Sequence, residues 1–397
     1  MHPERETNHS CDVLHLAAWY PTASEPWRTP FIPAHFHTAA QQGRHELIHV
    51  EVLHRQGLPR LAWGQHPHGE RYRLLTLPTT QARLVELATL LLLLAVRLEL
   101  GKRWWDGVHV HIAWPLLRFP RLFMALFGRQ VLIGEHWTAF RFRFHLPEGS
   151  RGHRRMAGMF GQQLPVTTVT RTLAFDIQSF AAPHRFPVHI IANVVDPAIF
   201  HPYRQAPTET NLKTSRYHPF RFLMVATWRP IKQPLLVLQA CQQLMAQGCA
   251  LQLRIVGLGD QLPQMRSLAN LPPLAGHVDF LGALSKAEIA EEMRQADALL
   301  HPSNYETFSV VCAEAISCGT PVLVSELEAV AEFIDASNGM LVPNTVEAWR
   351  QAIREFCAHP QRWQSKVIAS AAHARFSPSV VGQQFRDLYR ELWRPSC

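Results

Sequence analysis

The feature that most constrains this chain is an alternation: short apolar runs, each followed by a longer segment with helical spacing, recur along nearly its whole length. That rhythm is the signature of βαβ units and parallel sheets. Runs at 13–18, 47–53, 108–113, 130–134, 166–170 and 188–191 predict the strands of one doubly wound lobe, with helices near 35–42, 84–100 and 121–127. A second series at 222–226, 251–256, 278–281, 298–300, 321–324 and 339–342 predicts another. Between them, the polar, proline-bearing residues 201–219 have the composition of a linker. At 397 residues the chain is too long for one ordinary core and short for three. The expected organisation is an N-terminal domain at 1–200, a linker at 201–219 and a second domain at 220–376. The amphipathic segment within 377–397 is expected to pack back on the first lobe. Two such lobes imply a cleft.

The net charge is +8, and about +7 of it falls in residues 1–200. A basic lobe suits nucleic acid, an anionic membrane surface or a phosphorylated substrate, and equally a scatter of solvated arginines, so charge alone does not choose. Seven cysteines, odd in number and without a C-x-x-C pair, argue against a disulfide framework or a zinc ribbon and fit a reducing cytoplasm. The opening MHPERETNHS carries acids and no apolar core, so no signal peptide is expected. Residues 87–96 (LATLLLLLAV) are apolar, but charged residues bracket them and a spanning helix needs about twenty. They are expected to form a buried helix, with an interfacial membrane helix as the alternative.

Chemistry concentrates in 298–324, ALLHPSNYETFSVVCAEAISCGTPVLV. A strand ends near His301, a loop follows, and a helix of about ten residues is expected from Ser309 to Gly319, before Pro321. Its free N-terminal amides and dipole make a ready anion site at the C-terminal edge of the sheet. Glu306 and Glu314, eight residues apart, flank that site. Carboxylates would repel a pyrophosphate, so sugar hydroxyls are their natural partners. The bland alternative is a helix solvated by ordinary glutamates.

The stretch SNYETFSVVCAEAISCGTPV closely resembles the Glu-x7-Glu signature of family 4 glycosyltransferases, retaining enzymes of the GT-B fold. Further resemblances follow in family order: His15-Leu-Ala-Ala-Trp-Tyr-Pro21, Glu135-His136-Trp137, Asn193-Val-Val-Asp196 with Phe200, Ile255-Val-Gly-Leu-Gly259 and Val278-Asp-Phe-Leu-Gly282. The resemblance implies two Rossmann-like domains facing a cleft, with the last helix crossing back to the N-terminal lobe. It implies that Glu314 binds the donor ribose and Glu306 the hydroxyls of the transferred sugar. The amides of Phe308, Ser309 and Val310 would hold the pyrophosphate, and Gly257 and Gly259 belong to a nucleotide-side loop. Lys232, in TWRPIK, matches the lysine that neutralises the leaving diphosphate. Ala226-Thr227 stands where the family has Gly-Arg, so the usual phosphate-binding arginine is missing and Arg229 is the candidate substitute.

His136 matches the family histidine that contacts donor sugar or phosphate, against the plainer reading of a structural histidine at a strand end. His109-x-His111 looks like the family's H-x-H strand, and two imidazoles without nearby Cys, Asp or Glu ligands give no expectation of a metal. Residues 140–155 (FRFRFHLPEGSRGHRR) interleave aromatic and basic side chains, a composition suited to a lipid phosphate or headgroup, to single-stranded nucleic acid, or to a surface loop with no partner. The expectation is a metal-independent, cofactor-free transferase of the cytoplasm, peripheral on the inner membrane face. It would use a UDP- or GDP-sugar and a lipid-linked or saccharide acceptor, without nucleic acid. The rivals are a nucleotide-sugar epimerase on the same scaffold and a non-catalytic subunit with a degenerate site. A dehydrogenase is disfavoured because no G-x-G-x-x-G follows the first strand.

Overall fold

The computed structural model describes residues 10–22, 28–203 and 219–393. Most of the expected linker, at 204–218, and nearly all of the opening decapeptide lie outside these residues. The chain divides into two compact units, residues 1–194 with 378–397, and residues 195–377.

The first unit runs β1 Val13–Ala17, α1 Phe31–Ala39, β2 His45–His54, β3 Arg60–Gln65, β4 Arg71–Leu77 and α2 Ala82–Leu100. It continues β5 Gly107–His111, α3 Pro120–Phe127, β6 Val131–Glu135, α4 Arg151–Ala157, β7 Val166–Thr168, α5 Arg171–Ala181 and β8 Val188–Ile190. Among the described residues, the strands form one sheet in the order β3-β4-β2-β1-β5-β6-β7-β8, parallel except where β3 meets β4. β1, β5 and β6 are buried along their whole length, as expected of central strands covered on both faces.

Two expectations need correction here. The β3–β4 hairpin is absent from the expected strands: β3 is a half-exposed edge strand, and both strands carry arginines, so no apolar run marks them. Residues 87–96 do lie in a helix, but only one face of it is buried. Ala88, Leu92, Val96 and Leu100 turn inward, whereas Leu84, Leu87, Leu91, Leu94 and Leu98 face out. A helix apolar all round has no amphipathic signal to say which side meets the core. Among the described residues no helix is long and apolar enough to cross a membrane.

The second unit runs β9 Phe220–Val225, α6 Pro234–Ala246, β10 Leu251–Val256, α7 Leu262–Ala269, β11 Val278–Gly282, α8 Lys286–Gln295 and β12 Ala298–His301. It continues α9 Val310–Ser317, β13 Val322–Ser325, α10 Glu328–Ala331, β14 Gly339–Val342, α11 Val346–Ala358 and α12 Ser365–Phe376. Its sheet is parallel throughout, in the order β11-β10-β9-β12-β13-β14. Strand order reverses between β9 and β12, and in open α/β sheets ligands bind outside the strand ends at such a switch point.

The last helix, α13 Pro378–Leu392, belongs to the first unit. Val381, Phe385, Leu388 and Tyr389, with Trp393 beyond, close a core with Cys11, Val13, Ala39, Leu132 and Ile191. Each such large side chain contributes roughly 1.5–3 kcal/mol by leaving water. Gly382 lets α13 cross α1 closely: a Cβ there would stand 2.5 Å from the carbonyl oxygen of Thr38.

Candidate functional site

In the second unit, the loops leaving neighbouring strands β9 and β12 are held together by backbone. The carbonyl of Ile231 accepts from the Asn304 amide at 2.8 Å and from Ser303 Oγ at 3.4 Å. Ser303 in turn donates its amide to Ser325 Oγ at 2.8 Å and accepts from Asn344 Nδ2 at 2.7 Å, while Ser325 Oγ donates to Asn344 Oδ1 at 2.6 Å. Loops from β9, β12, β13 and β14 are thus joined along one sheet edge. A 3₁₀ turn at Pro230–Lys232 then aims Lys232 at the loop after β12.

The result is a three-residue cluster. Glu306 Oε1 accepts from Lys232 Nζ at 2.5 Å and from His301 Nε2 at 2.7 Å. Burial alone would raise the Glu306 carboxyl, but the ammonium and the imidazole outweigh it and hold the group at about 2. Glu306 is therefore ionised at neutral pH. His301 is buried, and burial lowers it despite the carboxylate beside it, so its neutral ring donates the Nε2 proton. Sequence reasoning treated His301 only as a strand end; its position as the last residue of β12, facing the loop that carries Glu306, was the available signal.

Ser309 precedes α9 with φ 72° and ψ 79°, a left-handed conformation rare outside glycine. Such strain costs of order 1–3 kcal/mol and concentrates at functional sites. α9 spans eight residues, slightly shorter than expected, and begins at Val310 rather than Ser309. The amides of Phe308, Ser309 and Val310 donate to no described group, leaving them free at the helix N-terminus. The Phe308 ring is buried against Phe333 and Phe376, which anchors the turn. Glu314 lies further along the same helix. Burial of its carboxyl, only partly countered by Lys286, pushes it up to about 7.

Gly257 and Gly259 hold the β10 loop against the β9 loop. Both take positive φ, 114° and 155°, and a Cβ on either would overlap the carbonyl of Ala226 or Trp228. Trp228 is buried beneath them and donates Nε1–H to the Val256 carbonyl at 3.1 Å. Arg229 is not gathered into the cluster. β9 ends at Val225, and both Thr227 and Arg229 are exposed.

His136 follows β6 in the first unit, with its ring stacked on Phe31 at 4.0 Å and its pKa driven well below the usual value by burial. The interleaved segment at 140–155 is mostly exposed or half-buried, with Phe140 and His153 turned inside. Phe140 is buried and, with Phe144, packs on Phe180; Arg141 pairs with Asp176, and Arg155 with Glu86. Part of the segment thus serves the unit's own packing, while Phe142, Arg151 and Arg154 stay exposed.

Two Rossmann-like units, the second carrying an ammonium–carboxylate pair at its switch point beside a helix N-terminus, define the GT-B class of fold. A chain of Anabaena HepE, solved in complex with UDP, shares that fold: TM-score 0.70 at 16% identity, covering 96% of this chain and 100% of that one. Residues 211–372 match the family model of "Glycosyl transferases group 1". "D-inositol 3-phosphate glycosyltransferase" of Saccharomonospora viridis is 31% identical over 175 residues, 41% of each chain. "GDP-mannose-dependent alpha-(1-6)-phosphatidylinositol dimannoside mannosyltransferase" of Mycobacterium tuberculosis is 33% identical over 96 residues, 24% of this chain and 25% of that one. The match spans about two fifths of the first relative's length. The family-model match covers most of the second unit, which is similar to the group 1 glycosyl transferases.

Proposed function

We propose that this chain is a retaining glycosyltransferase that moves a hexose-type sugar from a UDP- or GDP-sugar to a lipid-linked or saccharide acceptor. The observation that carries the reading is the Lys232–Glu306 pair beside the free amides of α9. The diphosphate rests on the amides of Phe308, Ser309 and Val310, where helix dipole and unpaired N–H groups favour anionic oxygens. Glu314 accepts from the ribose hydroxyls, and Glu306 from the hydroxyls of the sugar. As the bond from the anomeric carbon to the diphosphate oxygen breaks, its electron pair leaves with the diphosphate. Lys232 offsets that charge without a metal ion. The acceptor oxygen bonds to the anomeric carbon on the face the diphosphate leaves, and its proton passes to the departing phosphate oxygen. His136 is assigned to the donor sugar or phosphate on the resemblance alone. UDP in the Anabaena structure and GDP-mannose in the mycobacterial relative's name support the two donor bases.

A lipid-linked acceptor is supported by the outer face of α2. Leu84, Leu87, Leu91, Leu94 and Leu98 form an exposed apolar stripe, Trp104 beyond it is 86% exposed, and Arg83 and Lys102 flank it. Leucines, an interfacial tryptophan and cations suit an anionic lipid surface. The test is transfer from a panel of UDP- and GDP-sugars by wild type and Glu306→Gln. Acceptor-dependent turnover with anomeric retention, reduced at least about a hundredfold in Glu306→Gln, is expected. Equal rates in the two proteins, or sugar turnover that needs no acceptor, overturns the reading.

A further inference from the structure

The H-x-H pair of β5 is not isolated. β1 lies beside β5 in parallel register with His15 opposite His109, so three imidazoles share one face of the sheet. All three are buried, and one ring nitrogen from each of His15, His109 and His111 lies within 4.8 Å of the others. Sequence spacing gave no third ligand because His15 and His109 are 94 positions apart.

Hydrogen bonds decide which nitrogens are available. His15 turns Nε2 to His45 Nδ1 at 3.0 Å and Nδ1 to His111 Nε2 at 3.1 Å. His109 turns Nδ1 to the Tyr389 hydroxyl at 2.8 Å, and its Nε2 is buried without a partner among the described residues, as is His111 Nδ1. A buried ring nitrogen with nothing to bond costs about 1–3 kcal/mol. His109 Nε2 packs closely on Gly134, where a Cβ would stand 2.8 Å from that atom.

We propose that His15, His109 and His111, each offering one ring nitrogen, form a binding site for a zinc-like divalent transition-metal ion within the first unit, the ion replacing the His15–His111 hydrogen bond. Two nitrogens bound tetrahedrally at about 2.0–2.1 Å from zinc stand about 3.3 Å apart, close to the separation found between His15 and His111. Neutral imidazoles are the ligands that ions of this class prefer over calcium or magnesium. The remaining ring nitrogens of His15 and His109 are held by His45 and Tyr389, the outer-shell arrangement that fixes tautomer and orientation at metal-bound histidines. Three protein ligands leave a fourth position for water. This site is separate from the residues assigned to transfer in the second unit, so its test does not depend on activity.

The experiment uses the untagged full chain stripped of metal. Zn²⁺ is titrated against a chromophoric chelator, and Co²⁺ is followed by its visible d–d absorption. One equivalent bound, with intense tetrahedral-type cobalt bands in the wild-type protein, is expected. His111→Gln should abolish that equivalent. Tyr389→Phe, which keeps the packing and removes only the hydroxyl, should weaken it about 10- to 100-fold, while His359→Ala at the surface should change nothing. Absence of the cobalt bands from the folded wild-type chain overturns the proposal, as does an equivalent that survives His111→Gln or responds equally to His359→Ala.

Discussion

Two buried clusters, one in each unit, treat their titratable groups in opposite ways. In the first unit, burial without an opposite charge holds the imidazoles neutral: His111 is pushed down to about 3 and His35 to about 4. In the second, an equally buried carboxylate stays ionised at about 2 because Lys232 and His301 converge on it. Burial penalises charge in both places, and one ammonium reverses the outcome. Lys232 therefore has two tasks. It keeps Glu306 an acceptor while the site is open, and under the proposed transfer it meets the diphosphate when the donor enters.

The most severe way to break this comparison is to make the second unit resemble the first. Lys232→Met leaves Glu306 buried with only a neutral imidazole, so its carboxyl should titrate upward from about 2. Transfer should fall about 10²- to 10³-fold, the scale of losing one preorganised charge-stabilising group. Carboxyl NMR titration together with initial rates checks both. The unpaired charge should also lower stability above the Glu306 pKa, where the wild-type pair contributes, and thermal melts between pH 2 and pH 8 would show it. A variant with wild-type rates would remove Lys232 from the chemistry.

Glu314 is the intermediate case, opposed only by Lys286 and lying at about 7. Its folded value is raised above the ordinary 4.5, so in the free protein its ionisation lowers stability as pH rises from about 4.5 to about 7, and the loss is constant above that. Ribose hydroxyls prefer the ionised acceptor. UDP or GDP affinity should then strengthen about tenfold from pH 6 to pH 8, the change in the ionised fraction of a group titrating at 7. Calorimetry on wild type and Glu314→Gln separates this from titration of the nucleotide itself, because the variant should bind weakly at both pH values with the step gone.

How much of this was legible in the sequence follows the same contrast. The second unit was readable because its chemistry is local: strand, loop, Glu306, helix and Glu314 fall within one short segment, and β10 and β14 begin and end where their apolar runs do. The fold class and the returning last helix were legible from alternation and amphipathicity. What escaped depended on long-range neighbours. His301 acquires a role only once Lys232 is brought in from the next strand, and His15 joins His109 only through sheet register. The β3–β4 hairpin escaped for another reason: its strands are stabilised partly by Arg71 and Arg73 pairing with Glu99 on α2, so their sequence looks too charged for a strand.

The mildest test concerns the surfaces rather than the interiors. The exposed leucines of α2 sit on the more basic part of the chain, and a membrane role for them predicts a small, salt-sensitive effect rather than an all-or-none one. Leu91 is at the middle of the stripe and 57% exposed, so Leu91→Gln removes apolar area without opening a cavity. Partial insertion of one leucine contributes about 1 kcal/mol, below the value for full burial. Binding to vesicles containing anionic lipid should therefore weaken about fivefold, with the melting temperature unchanged. Zwitterionic vesicles should bind both proteins poorly, because flanking Arg83 and Lys102 then have no headgroup charge to meet. Equal binding by wild type and variant to anionic vesicles would leave the stripe without a lipid role, and with it the lipid-linked half of the proposed acceptor.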